Sequence, residues 1–174
     1  MRLIEALKGI KNLQRKIDDL KGKIKTNCSD MDIETPVYAT EDAQRKQVQS
    51  WIDSINGSLN EIMRLRIGIQ LTNLATAVTI TLGGKEVSNS IAGWIHRRRD
   101  LAELEKESWS CLSDRGLTAR NYNVDGKGEI GLSKVRRYFD PKTRDEKVEL
   151  FTSEPSTIDA KLEVVNAETE VNFN

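Results

Sequence analysis

Two groups of polar residues could carry chemistry in this sequence, and both contain arginine. The first interrupts a heptad pattern of apolar residues and consists of Arg66, Asn73 and Thr76. The second is Arg97 and Arg98, which follow the single histidine of the chain. A guanidinium offers a planar fork of five donors that suits phosphate or carboxylate, and Asn and Thr can complete such a shell. These five residues are the predicted ligand-binding residues, for a small anionic, nucleotide-like ligand.

The first group lies in a helix-forming pattern whose residues are spaced by three and four and change from apolar to polar. Its members are Val48, Ile52, Ile55, Leu59, Ile62, Arg66, Ile69, Asn73 and Thr76. Such a pattern is typical of a helix that faces another helix. Three explanations of its polar half stay open: a ligand shell, buried polar residues that fix helix register, or simple exposure beyond the end of the partner helix.

The second group belongs to the run Arg97-Arg98-Arg99, whose side chains fan around a helix so that at most two share a face. One alternative is that Arg97 or Arg98 joins the polar end of the heptad helix, if the chain folds back beside it. The other is a solvated surface on which the arginines pair with nearby acids: Asp100, Glu103 and Glu105.

The first half of the chain predicts two long helices. Apolar residues recur at helical spacing from Leu3 to Ile24, and turn residues then fill the loop from Asn27 to Tyr38. Thr40 is a predicted N-cap for a second helix that ends near Thr76. A short loop between long amphipathic helices favours antiparallel packing.

Two glycines, Gly57 and Gly68, lie inside this second helix. Glycine costs about 1 kcal/mol relative to alanine there. Close approach of a partner helix, a kink and mere tolerance are all open explanations.

After Thr76 the period changes to that of a strand. Val78, Ile80 and Leu82 alternate with threonines before the pair Gly83-Gly84, which predicts a β-hairpin with a two-residue turn. Ser88 is then the predicted cap of a third helix that ends near Gly116.

The segment after Gly116 predicts a second hairpin and a last helix. The hairpin strands are Val135–Phe139 and Val148–Phe151, and the helix begins at Pro155. Residues 123–130 resemble a calcium loop in spacing, but Lys127 and Lys134 stand where that loop needs oxygen ligands. We therefore predict a glycine-rich turn there and no metal site.

Composition narrows the class of protein. The 174 residues include 27 Lys plus Arg and 27 Asp plus Glu, so the net charge of zero argues against nucleic-acid and membrane partners. Cys28, Cys111 and His96 are too few and too scattered for a zinc site, and no other cofactor is expected. No signal peptide or apolar run of spanning length is visible, so we expect a cytoplasmic protein.

No catalytic motif is present, and we predict that the chain is not an enzyme. One further basic patch has aromatic neighbours that could hold a nucleotide phosphate. It consists of Lys134, Arg136, Arg137, Lys142 and Arg144, with Tyr138 and Phe139. An ordinary charged hairpin is the alternative, because several acidic residues lie among these.

Several stretches over residues 1–115 resemble the septicolysin-like family, small helical proteins of bacteria and phages whose biochemical role is unassigned. They are Leu3-Ile4-Glu5-Ala6-Leu7, the run from Arg66 to Asn73 with Thr76, Gly84-Lys85-Glu86-Val87, Ile91-Ala92, and Arg99-Asp100-Leu101. The family name suggests a pore-forming toxin, which none of these residues supports.

Together these patterns predict a mainly α fold: an antiparallel bundle of long helices with coiled-coil-like packing and one or two small β-hairpins. We expect a single domain over residues 1–174, with a helical core at 1–115 and a hairpin and C-terminal helix at 116–174. The expected function is that of a homo-oligomeric binding protein with an Arg-lined pocket for a small anion. By analogy, small phage proteins that sequester signalling nucleotides have compatible chemistry. The alternative is a structural or protein-interaction scaffold without a ligand.

Overall fold

The computed structural model describes residues 1–123 and 130–173, and these are mainly helical, as predicted. In chain order the elements are α1 (Leu3–Asn27), α2 (Glu41–Ala75), β1 (Ala77–Leu82), β2 (Lys85–Ser90), α3 (Ile91–His96), a π-helical turn (Arg97–Leu101), α4 (Ala102–Ser110), β3 (Asn121–Asn123), β4 (Ile130–Leu132) and α5 (Pro141–Glu168). Strand β1 pairs with β2, and β3 pairs antiparallel with β4. Most of the glycine-rich turn compared with a calcium loop lies outside the described residues. Within the described ranges, no helix combines the length and apolarity needed to cross a membrane.

The chain divides into two compact units. Unit 1 is Met1–Ala77 together with the segment from Glu163 onward, and unit 2 is Val78–Leu162. Helix α5 contributes its last turns to unit 1 and the rest to unit 2. The predicted division at residue 115, and the single domain, stay predictions.

In unit 1, α1 and α2 pack against each other in opposite directions. The side-chain amide of Gln44, in the first turn of α2, donates to the carbonyl of Asn27 at the end of α1, at 2.7 Å. Near the other end of the pair, a β-carbon placed on Gly9 would lie 3.7 Å from Cδ1 of Leu65. The predicted cap of α2 is confirmed, because the Thr40 hydroxyl accepts from the Ala43 N–H at 3.1 Å.

The two ends of the chain meet in unit 1. The Leu3 N–H donates to the carbonyl of Thr169 at 2.9 Å, and the Val171 N–H donates to the carbonyl of Met1 at 2.8 Å. The C-terminal segment therefore lies beside the start of α1 and is held there by backbone hydrogen bonds on both sides.

The same segment explains Gly68. A β-carbon at Gly68 would come within 2.7 Å of the Phe173 ring and 2.8 Å of Cγ1 of Val171, so only glycine leaves room. The neighbouring Thr72 hydroxyl accepts from the Asn172 N–H at 2.7 Å. Gly68 thus admits the C-terminal segment rather than a partner helix, whereas a β-carbon at Gly57 would meet nothing within 4 Å.

The buried stripe of α2 differs from the predicted heptad. It is centred on Trp51, Ser58, Ile62, Leu65 and Thr72, all at most 7% exposed. Five of the nine predicted positions are shifted by one residue, because the residue before each is buried instead: Trp51, Ser58, Leu65, Gly68 and Thr72. Ile52 and Leu59, predicted to face a helix, are 39% and 49% exposed, and Arg66 is exposed as well. The shift has a physical reason: α2 carries large apolar residues around much of its circumference, so its sequence supports two stripes and burial of Trp51 and Leu65 selects one.

The first hairpin of unit 2 is confirmed, and Val78 and Ile80 point into the core. The predicted cap of the next helix is wrong by two residues. Strand β2 continues through Ser88, and the hydroxyl of Ser90 accepts from the Gly93 N–H at 3.1 Å. Trp94 then lies almost fully buried, and its indole Nε1 donates to the carbonyl of Val78 at 2.8 Å.

The predicted third helix is interrupted and shorter than expected. It passes through the π-helical turn at Arg97–Leu101 and ends at Ser110 rather than near Gly116. A π-turn inserts one extra residue per turn and rotates the side chains that follow it. All three arginines lie in this turn, where Arg97 is half-buried and Arg98 and Arg99 are exposed.

The predicted second hairpin is wrong. Residues 135–140 form no regular element, and Val148–Phe151 lies inside α5, which begins at Pro141 and continues through Pro155. The helix starts where it does because the Asp140 carboxylate accepts from the N–H groups of Thr143 at 2.9 Å and Lys142 at 3.3 Å. Proline suits the first helical position that follows such a cap. The small second sheet is instead β3 with β4.

The Asp140 cap gives a first prediction. Asp140→Ala should lower the melting temperature by a few degrees near neutral pH, while Asp140→Asn, which keeps an acceptor oxygen, should stay close to the parent. The hydrogen bonds from Thr143 hold the pKa of Asp140 below its ordinary value of 3.8. A lowered pKa stabilises the fold above that value, and the benefit is lost as the pH falls through the folded-state pKa.

The difference between Asp140→Ala and the parent should therefore shrink in acid. Melting curves followed by circular dichroism at about pH 7 and about pH 2 measure it. An equal difference at both pH values would contradict the assignment of the carboxylate as the cap.

Candidate functional site

The five predicted ligand-binding residues fall into two groups that belong to different units. Arg66 and Asn73 lie on α2 and Thr76 directly follows it, all in unit 1, whereas Arg97 and Arg98 lie in the π-helical turn of unit 2. The prediction that all five line one pocket stays a prediction.

On α2, the polar residues of the heptad occupy the edge between the buried stripe and solvent. Arg66 is exposed, and its side chain makes no hydrogen bond or ion pair with any residue in the described part of the chain. Asn73 and Thr76 are half-buried, and the Thr76 N–H continues the helix by donating to the carbonyl of Thr72 at 2.9 Å. The sequence left three explanations for the polar half of the heptad pattern. In a single copy of the chain, exposure to solvent is the one that fits Arg66.

Arg97 is the most constrained arginine of unit 2. Its Nε and Nη2 atoms donate to both carboxylate oxygens of Glu154, which is 1% exposed, with the Nη2 contact at 3.0 Å. Its Nη1 atom lies 2.6 Å from Glu105, and the guanidinium lies 5.3 Å from the ring centre of Phe151. The hydrogen bond to Glu154 raises the pKa of Arg97 above its ordinary value. Arg97 therefore neutralises a buried carboxylate and has little capacity left for a ligand.

The neighbouring arginines also have acidic partners. Arg98 pairs with Asp159 at 2.5 Å and Arg99 with Asp100 at 3.0 Å, all on the surface. This agrees with the alternative of a solvated surface, although the partners of Arg97 and Arg98 on α5 were not foreseen. The described contacts of Arg97 and Arg98 thus favour an ionic network over an open anion site.

Unit 2 contains a different arginine-lined cavity, which we call the arginine cleft. It has a volume of about 230 Å³ and lies between the turn after α4 and the segment before α5. Its lining is Leu112, Ser113, Asp114, Arg115, Leu117, Val135, Arg136, Arg137, Tyr138 and Phe139. The lining therefore contains three guanidinium groups and one carboxylate, and the rest of it is mostly apolar and aromatic.

A tight turn places Arg115 at the cleft. Arg115 and Gly116 both have positive φ, at 56° and 71°, and the Leu117 N–H donates to the carbonyl of Asp114 at 2.8 Å. Positive φ at both central residues is the geometry of a type I′ turn. A left-handed conformation is uncommon for arginine and costs free energy, so the turn fixes Arg115 at some expense in stability.

Arg137 is held rigidly on the other side of the cleft. Its Nε and Nη2 atoms donate to the two oxygens of Asp114 at 2.6 Å and 2.5 Å. This pairing lowers the pKa of Asp114 and raises that of Arg137. Such a bidentate pair ties the segment before α5 to the turn after α4.

Arg144 adds a second tie between the same segments. It donates to the carbonyl of Leu112 at 2.9 Å and lies 5.5 Å from the ring centre of Phe139. One cation therefore occupies a face of Phe139, whereas Tyr138 is 89% exposed and its ring is free for stacking.

Two guanidinium groups of the cleft remain uncompensated. Arg115 and Arg136 are exposed, and their side chains form no hydrogen bond or ion pair with any residue in the ranges 1–123 and 130–173. With Arg137 matched to Asp114, these two give the cleft its net positive charge. An anion that entered would meet two free donor groups against an apolar wall.

The basic patch predicted from the sequence includes four of the ten residues that line this cavity: Arg136, Arg137, Tyr138 and Phe139. It does not include Arg115 or Asp114. The missed signal was local, since Asp114-Arg115-Gly116 has the composition of a turn. The contact between Asp114 and Arg137 joins residues far apart in the chain, which no local pattern reveals.

A second cavity, of about 310 Å³, lies in unit 1 at the loop between α1 and α2. Its charged lining is Asp30, Glu41 and Arg45, and the guanidinium of Arg45 lies 3.6 Å from the Asp42 carboxylate. This cavity is larger than the arginine cleft but carries net negative charge. It is the less suitable of the two for an anion.

Within the described ranges, no group of three or more His, Cys, Asp or Glu side chains lies close enough together to hold a metal ion. Both cysteines are exposed and free.

Comparisons with protein families, with curated proteins and with solved structures gave no match to this chain. The resemblance of residues 1–115 to the septicolysin-like family stays a prediction.

Proposed function

We propose that this chain is a non-enzymatic binding protein that works as a homo-oligomer and takes a small anionic ligand, of nucleotide type, in the arginine cleft. The observation that carries the proposal is the pair of unpaired guanidinium groups, Arg115 and Arg136, at the rim of an apolar cavity. Exposed arginines are usually solvated, but these two flank a cavity whose third arginine is already fixed by a carboxylate.

The wall of the cleft supports a ligand with an aromatic part. Leu112, Val135 and Phe139 are half-buried, and Tyr138 presents a free ring beside them. A base stacked on an aromatic side chain gains about 1–3 kcal/mol. A phosphate beside Arg115 and Arg136 would at the same time receive charge-assisted hydrogen bonds.

The size of the cleft restricts the ligand. Its 230 Å³ lies below the range of about 300–1,000 Å³ that is usual for ligand pockets. A mononucleotide with its sugar at the rim fits that limit better than a dinucleotide or a larger polyanion.

The test is a calorimetric titration with adenosine monophosphate, uridine monophosphate and inorganic pyrophosphate. The parent protein should bind a mononucleotide, and the double variant Arg115→Gln/Arg136→Gln should lose affinity about tenfold or more, since a hydrogen bond to a charged group contributes about 1.5–3 kcal/mol. Arg15→Gln is a matched control, because Arg15 is an exposed arginine on α1. The control should bind as the parent does.

Two results would contradict the proposal. One is the absence of heat with all three probes, and the other is equal affinity of the parent and the double variant. Tighter binding of pyrophosphate than of either nucleotide would contradict stacking of a base on Tyr138. Comparing the nucleotide affinity of Tyr138→Ala with that of the parent checks this directly.

A scaffold without a ligand is the second candidate function, and one observation favours it. Helix α2 exposes a row of large apolar residues that nothing in the described chain covers. Coiled-coil-like packing between copies would bury them and needs no ligand. A protein that assembles but binds none of the three probes fits this alternative.

A further inference from the structure

Helix α2 has a second apolar face, on the side away from its buried stripe. Its members are exposed to between 38% and 68%: Ile52, Leu59, Met63, Ile67, Leu71 and Leu74. Their spacings of seven, four, four, four and three residues keep them on one side of a helix. Six exposed large apolar side chains in one contiguous row form a patch of the kind that often marks a binding surface.

The residues of this face are arranged symmetrically about Met63. Ile52 and Leu74 each stand eleven residues from Met63, and Leu59 and Ile67 each stand four residues from it. A twofold axis through Met63 would therefore set apolar side chains against apolar side chains. Leu71 alone would face a half-buried residue of the other stripe, Ile55.

The polar residues beside this face obey the same symmetry. Asn60 and Arg66 each stand three residues from Met63, and Asn56 and Gln70 each stand seven residues from it. An antiparallel pair of α2 helices would place Arg66 against an amide side chain. A parallel pair in register would place Arg66 against Arg66, which costs free energy because like charges repel.

We propose that two copies of this chain pair through this face, with α2 antiparallel to α2 of the other copy and the twofold axis at Met63. The inference rests on the homo-oligomeric state proposed above and gives it a geometry. An isologous contact of this kind needs a self-complementary surface, which the symmetric spacing supplies.

The extent of the face suits a dimer. From Ile52 to Leu74 it runs for about 33 Å at the helical rise of 1.5 Å per residue. Its six side chains expose on the order of 500 Å² of apolar surface per copy, about that of the largest patch on a typical monomer. Two copies would bury on the order of 1,000 Å², and flanking polar residues bring the total toward the ~1,200 Å² at which specific interfaces begin.

The pairing also gives Arg66 a place in the assembly. Each Arg66 would stand three residues from the axis, so the two arginines would be about 9 Å apart along the helix direction. Each would face the partner's Asn60 at the edge of the interface. If the oligomer frames a pocket, as predicted, the two Arg66 side chains, one from each copy, would therefore line it.

Cysteine cross-linking tests the geometry in a Cys28→Ser/Cys111→Ser background, because both native cysteines are exposed and free. Met63→Cys alone should form a disulfide-linked dimer under mild oxidation, since the two copies of this residue meet at the axis. Ile52→Cys alone and Leu74→Cys alone should form no disulfide-linked dimer. When the two variant proteins are mixed, they should cross-link to each other. Dimers from Ile52→Cys alone and from Leu74→Cys alone would indicate parallel helices and overturn the inference.

A charge at the axis gives the second test. Met63 is 61% exposed, so Met63→Lys should fold as the parent does, as circular dichroism can verify. Light scattering should show that the parent dimer becomes a monomer in this variant. Ile33→Lys, at a loop residue that is 88% exposed, is the matched control and should remain a dimer.

A monomeric parent, or a Met63→Lys variant that stays dimeric, would overturn the inference. Titrating Met63→Lys with adenosine monophosphate keeps this failure separate from failure of the ligand site. The arginine cleft lies in unit 2, so its ligand binding can persist when the dimer is lost, and the dimer can persist when no ligand binds.

Discussion

Replacing Glu154 with alanine is expected to lower the free energy of unfolding by about 3 kcal/mol, because it leaves the partly buried guanidinium of Arg97 without its main partner. The Glu154 carboxylate is 1% exposed, and it accepts from two nitrogens of a guanidinium that is 26% exposed. Removing one member of a buried pair usually costs about 3–5 kcal/mol. Glu105, at 2.6 Å, still compensates part of the charge, so the lower end of that range applies.

Two variants isolate the electrostatic part of this loss. In Arg97→Met/Glu154→Leu both charges are replaced by apolar groups, and the unfolding free energy should return to within about 1 kcal/mol of the parent. Asp159→Ala breaks the exposed ion pair with Arg98 and should cost at most about 1 kcal/mol. Urea denaturation followed by circular dichroism measures all three. Equal losses for Glu154→Ala and Asp159→Ala would show that burial of the carboxylate contributes nothing.

The second large loss of stability is expected when Trp94 is replaced. This side chain is 2% exposed, and its indole donates to the carbonyl of Val78, the residue with which unit 2 begins. Trp94→Ala should cost about 4 kcal/mol, since it removes the largest fully buried side chain among the described residues and leaves a cavity.

Trp94→Phe separates packing from hydrogen bonding. It keeps most of the ring but leaves the Val78 carbonyl without its donor, so we expect a loss of about 1–3 kcal/mol. Trp109→Phe is the matched control, because Trp109 is half-buried, and its loss should be smaller. The same urea titrations report each value. A Trp94→Phe variant as stable as the parent would mean that the indole hydrogen bond adds nothing to the fold.

The elements that the sequence predicts well are those that local signals determine. The cap at Thr40 needs only its own hydroxyl and the next turn, and the hairpin at Gly83-Gly84 needs only two residues that tolerate positive φ. The long helices follow from apolar spacing that persists over many turns. These features are independent of what packs against them.

Helix α5 shows why local signals can also mislead. Pro155 indicates a helix start, yet it lies inside the helix, where the missing N–H frees a carbonyl. The hydroxyls of Ser153 and Ser156 donate to other carbonyls, those of Leu150 at 3.0 Å and Ser153 at 2.8 Å. The stronger signal for the start of this helix is Asp140 followed by proline, where the predicted second hairpin has its turn.

Contacts between distant residues explain what the sequence could not predict about the sites. The partner of Arg97 is Glu154, 57 residues away, and the partner of Arg137 is Asp114, 23 residues away. Both pairings decide which arginines are free to bind an anion. A pattern of spacings along one helix contains no information about these partners, so it could not show that Arg97 is paired with Glu154.

The meeting of the two chain ends in unit 1 has a consequence for synthesis. Gly68 and Thr72 contact the C-terminal segment, so the α1–α2 hairpin is finished only after Val171 has been translated. At about 5–20 residues per second, that interval is roughly 5–20 s after Ala77 is added. During that time the nascent hairpin exposes the surface that Val171 and Phe173 later cover. A chaperone that binds apolar segments would have its best opportunity to capture this protein in that interval.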